Sequence, residues 1–348
     1  MENPFVFGTA TFDECFTDRE NDTKRLLTNF KNGVNTILIS PRRWGKTSLV
    51  LKASNLAESK ELKVVNMDIF SCRSEEDFYQ LFAVEMIKQT SNKWEEWVQN
   101  AKRFLAALVP KISFGADPMN DFSISFDLSN KRLNEDVLNL PQKIASEKNI
   151  KIVVCIDEFQ QIAEFNHSET FQKKLRSVWQ LQRQVSYCLY GSKKHLMSEL
   201  FSKQSLPFYR FGDIILLQKI ATSDWISYIQ SRFSYTNKFI SADLAERICQ
   251  TVDNHSSYVQ QFAWLVWIRT EQKTTETNFE EALNDLLNQN SILYYNYLEG
   301  LTGLQINFLL AIVNGIHHGF SKKEVLNEYN LGASSNIVRI KKSLEQKE

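Results

Sequence analysis

Ser40-Pro41-Arg42-Arg43-Trp44-Gly45-Lys46-Thr47 decides how the rest of the chain is read. An apolar run, Asn35-Thr36-Ile37-Leu38-Ile39, leads into it, and Ser48-Leu49-Val50-Leu51-Lys52-Ala53 follows with a helix-forming pattern. Strand, tight loop, Gly-Lys-Thr and helix is the context that a phosphate-binding loop requires. Backbone N–H groups of such a loop, with the positive end of the helix dipole, surround phosphate. The Lys46 ammonium suits β- and γ-phosphates, and the Thr47 hydroxyl suits Mg2+. Gly45 lets the backbone come close to phosphate. Ser40, Pro41, Arg42, Arg43, Trp44 and Ser48 are the remaining candidate contacts of the loop. The stretch departs from G-x-x-x-x-G-K-[ST] at its first position, where Ser40 stands for glycine and Pro41 follows.

A second stretch supports the first. Lys151-Ile152-Val153-Val154-Cys155-Ile156 is a continuous apolar run, as in a central strand covered on both faces, and it ends in Asp157-Glu158-Phe159-Gln160. Two adjacent acids at the end of such a strand form a Walker B arrangement. Asp157 is expected to hold Mg2+ through its water shell, and Glu158 to orient and activate an attacking water. The bland alternative is a strand followed by a solvated acidic turn.

Further candidates are single residues, each with two readings. Ser192 ends the strand expected at Ser186–Ser192 and is either a sensor of the γ-phosphate or the N-cap of a helix over 193–201. Arg210, before the expected last strand Asp213–Leu217, is either a γ-phosphate sensor or arginine finger, or one half of a surface salt bridge. His255 either reaches a phosphate from a helical lid or is a structural histidine near a helix start. Phe16 and Arg19 precede the first strand and are either candidates for the base site or a core ring and one half of an ion pair with a nearby carboxylate. Asp68 lies near the end of the strand expected at Leu62–Phe70 and is either an acid close to the site or, the favoured reading, the cap of the loop that follows.

Composition sets bounds. The chain has 348 residues, 43% hydrophobic content and equal counts of 41 for Lys+Arg and Asp+Glu. That excludes a polycation and leaves nucleic acid only a local patch to bind. The five cysteines are scattered and never spaced as CxxC, as expected of reduced, buried thiols in a cytoplasmic protein. The N-terminus has no signal-peptide pattern, and the longest apolar stretches, Phe262–Ile268 and Ile306–Val313, are too short to cross a bilayer.

Other segments complete the plan. A helix is expected from about Asp18 to Asn32, another over Ser74–Ser91, and another over Phe171–Val185. Residues 110–128 alternate polar and apolar around Asp117-Pro118-Met119-Asn120-Asp121, a hairpin signal and an insertion. From Ile220 the pattern is helical: Asp224–Phe233, Ala242–Val252, Ser257–Thr270, Thr277–Leu287 and Ile292–Glu299. In 302–348, Thr302 caps a helix, Ser321 starts a short one, and Ser334 or Ser335 starts the last, which carries Arg339, Lys341 and Lys342. This spacing is that of a winged helix without its wing hairpin, so a shortened C-terminus is expected. The basic cluster suits DNA phosphates; a regulatory or partner-binding role is favoured over it, because the cluster is small and the chain neutral.

Together these motifs resemble the archaeal-ATPase-like members of the STAND class of P-loop ATPases, relatives of AAA+ proteins. The resemblance rests on Ile39–Ser48, on Ile156-Asp157-Glu158-Phe159-Gln160, on Gly191-Ser192 after a strand, and on Phe208-Tyr209-Arg210 before the last strand. It implies ATP and ADP with Mg2+ as cofactors, slow or partner-stimulated hydrolysis, and use of the nucleotide state as a switch. The expected fold is an α/β P-loop NTPase core over 1–219 with a parallel sheet and adjacent P-loop and Walker B strands. A helical lid over 220–299 and a winged-helix-like domain over 300–348 follow. A protein partner or a second copy is expected. The rival is a nucleotide-stabilised adaptor or DNA-binding protein with negligible turnover; a P-loop kinase is a third option, without a visible acceptor segment.

Overall fold

The computed structural model describes residues 3–9, 19–91, 99, 103, 111–114, 122–125 and 131–345. Phe16, Cys15 and the turn of the hairpin insertion lie outside the described residues. The chain divides into two compact units, Met1–Ala263 and Trp264–Glu348.

The first unit is built on a five-stranded sheet. Its strands are β1 (Thr36–Ile39), β2 (Leu62–Asp68), β5 (Lys151–Asp157), β6 (Val185–Gly191) and β7 (Asp213–Leu216), in the spatial order β2-β5-β6-β1-β7. Every pairing in it is parallel. The apolar runs predict this, because strands covered on both faces carry no polar alternation. Successive residues divide between the two faces. Ile37, Val154, Ile156, Tyr187 and Leu189 point to a core shared with the helices Glu75–Gln89, Leu140–Lys148, Ser168–Trp179 and Lys194–Ser202. Leu38, Val153, Cys155, Cys188 and Tyr190 point to the core of the opposite face, with the helices Glu20–Asn32 and Lys46–Ala57. The remaining two strands, β3 (Lys111–Phe114) and β4 (Phe122–Ser125), pair antiparallel as the expected hairpin.

One expectation is corrected here. The P-loop strand β1 and the Walker B strand β5 are not adjacent; β6 lies between them and pairs with both. The apolar pattern of a buried strand carries no information about which neighbour it chooses. The consequence is chemical, because the residue that follows β6, Ser192, enters between the two motifs.

Local capping explains several boundaries. Helix Glu20–Asn32 stops at Gly33, which adopts the left-handed conformation at φ 67°. Ser74 caps the helix Glu75–Gln89 by accepting from the Asp77 N–H, and the Asp68 side chain accepts from the Phe70 N–H at 2.9 Å, holding the turn after β2. Asn29 donates to Thr36 Oγ1 at 3.1 Å and to Asp213 Oδ2 at 2.8 Å, which fixes the first helix across the starts of β1 and β7.

After β7 come the helices Thr222–Tyr235, Ala242–Thr251 and Ser256–Arg269. In the second unit, Glu276–Glu299 is one uninterrupted helix rather than the two expected; Asn288, Gln289, Asn290 and Ser291 between Leu287 and Ile292 include no glycine or proline to end it. Thr302 forms a capping box with Gln305 and opens the helix Gly303–Val313. Ser321 does not start the next helix, Lys323–Glu328, whose N-cap is Lys322. The last helix is Ser334–Glu345, and Phe308, Val325, Leu331, Ile337 and Ile340 form the small core of these three.

Candidate active site

The loop between β1 and the helix Lys46–Ala57 stands at the C-terminal end of the parallel strands, where ligands of open α/β sheets bind. Its left-handed residues are Arg43, at φ 63°, and Gly45, at φ 88°. Ser40 is not among them, so the first position of the motif has no need of a glycine here. Its buried hydroxyl donates to the Pro41 carbonyl at 3.0 Å and supports the turn from within. Arg42, Arg43 and Gly45 are exposed, Pro41 and Trp44 half-buried, and Ser48 is buried in the first turn of the helix. Gly45 is the N-cap of that helix, so the unbonded N–H groups of its first turn face the loop.

The two motifs meet through side chains. Lys46 Nζ lies 2.9 Å from Glu158 Oε1 and 3.3 Å from Asp157 Oδ1. Thr47 Oγ1 donates to Asp157 Oδ2 at 2.8 Å. Ser192 Oγ donates to Glu158 Oε2 at 2.9 Å, and the Gln160 amide donates to the same oxygen. One strand separates β1 from β5, and the long Lys46 side chain spans it. The acidic turn is therefore not solvated at random: Asp157 is buried and Glu158 half-buried.

Their environments push the two acids in opposite directions. Burial raises the Asp157 carboxyl above its ordinary range, and Lys46 and Thr47 only partly offset that. Burial also works on Glu158, but the donors Gln160, Lys46 and Ser192 outweigh it and hold this carboxyl below the usual range. Glu158 has the left-handed conformation at φ 52°, which costs a non-glycine residue about 1–2 kcal/mol. The next residue, Phe159, explains why it persists. Its ring packs edge-on against Phe208 at 5.3 Å, and the 3-10 turn Phe159–Glu164 is anchored by that buried ring.

Ser192 is not a helix cap: Lys193 holds that place before Lys194–Ser202, and the Ser192 hydroxyl turns to Glu158 instead. Arg210 is exposed, and its guanidinium lies 5.4 Å from the centre of the Tyr209 ring. Among the described residues it has no carboxylate within ion-pair distance, and it makes no hydrogen bond to the cluster. His255 is half-buried beside Tyr258, with ring centres 4.8 Å apart, and its buried Nδ1 has no hydrogen-bond partner among the described residues. Burial, then the positive charges of Arg43 and Lys219, hold its imidazole below the ordinary value. Arg19 donates to the main-chain carbonyls of Trp44 and Gln218, which joins the loop to the segment after β7.

Gln160 was visible in the sequence only as the end of a motif. Its contact with Glu158 depends on the left-handed backbone between them, which residue spacing does not reveal. Lys219 was also missed; its ammonium sits 6.0 Å from the centre of the Trp44 ring and pairs with Asp253.

The donor set fits Mg2+. A hydroxyl and a carboxylate oxygen in mutual contact, Thr47 Oγ1 and Asp157 Oδ2, are the hard oxygen ligands this cation takes, and a buried carboxylate of raised affinity for protons favours a cation beside it.

Residues 16–224 match the model of a family described as an ATPase domain predominantly from Archaea. Among solved structures, the chain is similar to the Walker-type ATPase PABY2304 of Pyrococcus abyssi, at 17% identity and a TM-score of 0.66, over 98% of this chain and 93% of that one. It is also similar to the ORC2 protein of Aeropyrum pernix in ADPNP-ADP complexes, at 14% identity and a TM-score of 0.56, over 87% of this chain and 78% of that one. At these identities the likeness is one of fold. No curated protein sequence matches the chain.

Proposed function

The chain belongs to the family of ATPase domains found predominantly in Archaea and is an AAA+-related P-loop ATPase, and from that premise we propose that it is a Mg2+-dependent, nucleotide-controlled switch. The observation that carries the reading is the pairing of Lys46 with both Asp157 and Glu158. The cation that must meet phosphate is neutralised by the two acids that must act on water and metal. Nucleotide therefore exchanges one set of partners for another, and the elements attached to those residues respond.

The roles follow from the chemistry. Lys46 and the N–H groups of residues 45–48 bind the β- and γ-phosphates. Thr47 and Asp157 hold Mg2+, which when bound neutralises phosphate charge. Glu158 takes a proton from the attacking water. The water oxygen bonds the γ-phosphorus, and the bond from that phosphorus to the bridging oxygen breaks with its electron pair going to ADP. Ser192 reads the γ-phosphate through its contact with Glu158. His255, with an unpartnered nitrogen in the field of Arg43, senses phosphate from the helices after β7. The exposed Arg210 serves as an arginine finger toward a protein partner or a second copy. We further propose that 220–299 acts as the lid and 300–348 as a winged-helix-like regulatory end, as in the STAND class. Among the described residues no helix is long and apolar enough to cross a membrane, and we place the protein in the cytoplasm, where ATP is supplied.

The test is calorimetric titration of ATP and ADP, with and without Mg2+, into the wild type, Lys46→Ala and Glu158→Gln, with phosphate release followed in the same samples. The reading expects Lys46→Ala to lose binding and Glu158→Gln to keep it while turnover drops about 10²–10⁴-fold. Equal turnover in Glu158→Gln would remove the base from this assignment, and Mg2+-independent turnover would remove the metal.

A second reading has one observation in its favour. Arg339, Lys341 and Lys342 are exposed on the last helix while Ile337 and Ile340 of the same helix are buried. A DNA-binding role for this face predicts affinity that falls with salt and is lost in Arg339→Ala/Lys342→Ala.

A further inference from the structure

The two oxygens of the Glu158 carboxylate have separate partners. Oε1 faces Lys46 Nζ at 2.9 Å. Oε2 accepts from Ser192 Oγ at 2.9 Å and from the Gln160 side-chain amide. Gln160 is buried, at 2% exposure, and its place is fixed from behind. A Cβ built on Gly191 would lie 1.8 Å from Gln160 Oε1, so the missing side chain at the end of β6 is the space that the amide occupies. Gln160 Oε1 itself is buried without a hydrogen-bond partner among the described residues. A buried amide that leaves its oxygen unsatisfied is held there by what its nitrogen does.

We infer that Gln160 is a positioning residue for ATP hydrolysis, anchoring Oε2 of Glu158 so that Oε1 alone is released to water when phosphate takes Lys46. The inference rests on the proposed role of Glu158 as base. Lys46 Nζ stands against Oε1 and covers it. When Lys46 turns to phosphate, a carboxylate held only by its backbone would be free to swing on two side-chain bonds. With Gln160 and Ser192 still donating to Oε2, Oε1 stays where the ammonium left it. Gly191 is part of the same device, because any side chain there expels the amide.

Among the described residues the charged groups facing Glu158 are Lys46 and Asp157; Gln160 and Ser192 are neutral donors. Gln160→Glu preserves the shape against Gly191 and replaces the donor by a second carboxylate. Two carboxylates on one oxygen cannot both ionise cheaply, so a shared proton restores a donor as the pH falls. Gly191→Ala attacks the same contact from the other side.

The experiment is steady-state ATP hydrolysis over a pH series, with ADP titrations, for wild type, Gln160→Glu, Gly191→Ala and Glu158→Gln. At about pH 8, Gln160→Glu and Gly191→Ala lose about 10²-fold in kcat, the scale of a misplaced reacting group, while the Kd for ADP stays that of the wild type. Toward about pH 6, Gln160→Glu regains activity relative to the wild type, and Gly191→Ala does not, since only the former gains a proton donor. Wild-type kcat in Gln160→Glu at the alkaline end, with Glu158→Gln inactive, overturns the anchoring role. Loss of ADP affinity in parallel with kcat, or no relative recovery on acidification, reduces Gln160 to packing and also overturns it. Activity in Glu158→Gln instead removes the base on which the inference stands, an outcome separate from the other two.

Discussion

Arg19 donates to the main-chain carbonyl of Gln218 at 2.6 Å, across 199 positions of sequence. Its second nitrogen donates to the Trp44 carbonyl at 3.2 Å. One buried guanidinium thus ties the phosphate-binding loop to the segment that leads from β7 into the helices beyond. Arg19→Ala leaves two carbonyls without this donor, each at a cost of about 1–3 kcal/mol if it stays dry. Arg19→Lys does not restore both, because an ammonium lacks the planar fork. Urea denaturation is expected to show a lowered midpoint for both variants, larger for alanine. Nucleotide titration is expected to show weaker binding, because the loop loses its brace. A wild-type midpoint for Arg19→Ala would mean that water replaces the fork.

Lys46 carries a second prediction, about stability rather than binding. It is the cation between Asp157 and Glu158, at 11% exposure. Removing one partner of such a cluster leaves like charges facing each other in a half-dry site, at a cost on the order of 3 kcal/mol. Lys46→Ala is therefore expected to melt below the wild type without nucleotide. Adding Glu158→Gln to it should recover part of the loss, because one of the two repelling charges disappears. Differential scanning calorimetry of the single and double variants checks this; additive effects would show that the two residues do not couple.

These contacts also mark how far the sequence could be read. Gly45-Lys46-Thr47 and Asp157-Glu158 announce their chemistry, because phosphate and metal impose residue types at fixed spacing. The buried strands announce themselves through their apolar runs. Strand order does not, since Leu189 or Val154 is equally apolar beside any neighbour; the place of β6 between β1 and β5 appears only in the fold. Ser192 was ambiguous for the same reason, as its hydroxyl could turn either to a helix start or across to Glu158. Gln160 and Arg19 act through side chains that fold back on backbone conformations, φ 52° at Glu158 and the turn at Trp44, and these leave no pattern in spacing.

His255 yields a prediction in pH. Its imidazole is held below the ordinary value of 6.5 by burial and by Arg43 and Lys219, against the opposing pull of Asp253. A depressed group contributes stability that is full above its unfolded value and is lost as the pH falls through its folded value. Below about pH 6.5 the unfolded chain takes up a proton that the folded one refuses. The wild type is therefore expected to lose thermal stability on acidification from neutral pH, and His255→Gln to lose less over the same interval. Bound ATP should reduce the wild-type loss, because phosphate near Arg43 offsets the positive field at the ring. Equal pH slopes for the two proteins would mean that the imidazole titrates alike in both states.

Two glycines give opposite expectations. Gly212 precedes β7, and a Cβ there would lie 2.1 Å from the Asn35 carbonyl oxygen, a main-chain atom that already accepts from the Asp213 N–H at 2.8 Å. The Asn35 side chain in turn accepts from the Tyr187 N–H at 2.9 Å, so this residue aligns the starts of β1, β6 and β7. Gly212→Ala cannot be relieved by rotating a side chain; it must displace the strand that carries the phosphate-binding loop. A loss at or above the upper end of the 1–3 kcal/mol typical of overpacking, about 3 kcal/mol, is expected. Gly303 lies in the first turn of the helix Gly303–Val313, with nothing within 4 Å of an added Cβ and no left-handed backbone. Gly303→Ala narrows only the unfolded ensemble and is expected to stabilise by about 0.4–1 kcal/mol. Denaturant melts of the two variants beside the wild type decide the matter. Opposite signs support the close approach at Asn35, whereas a neutral Gly212→Ala would mean that the start of β1 yields more easily than its three aligned strands imply.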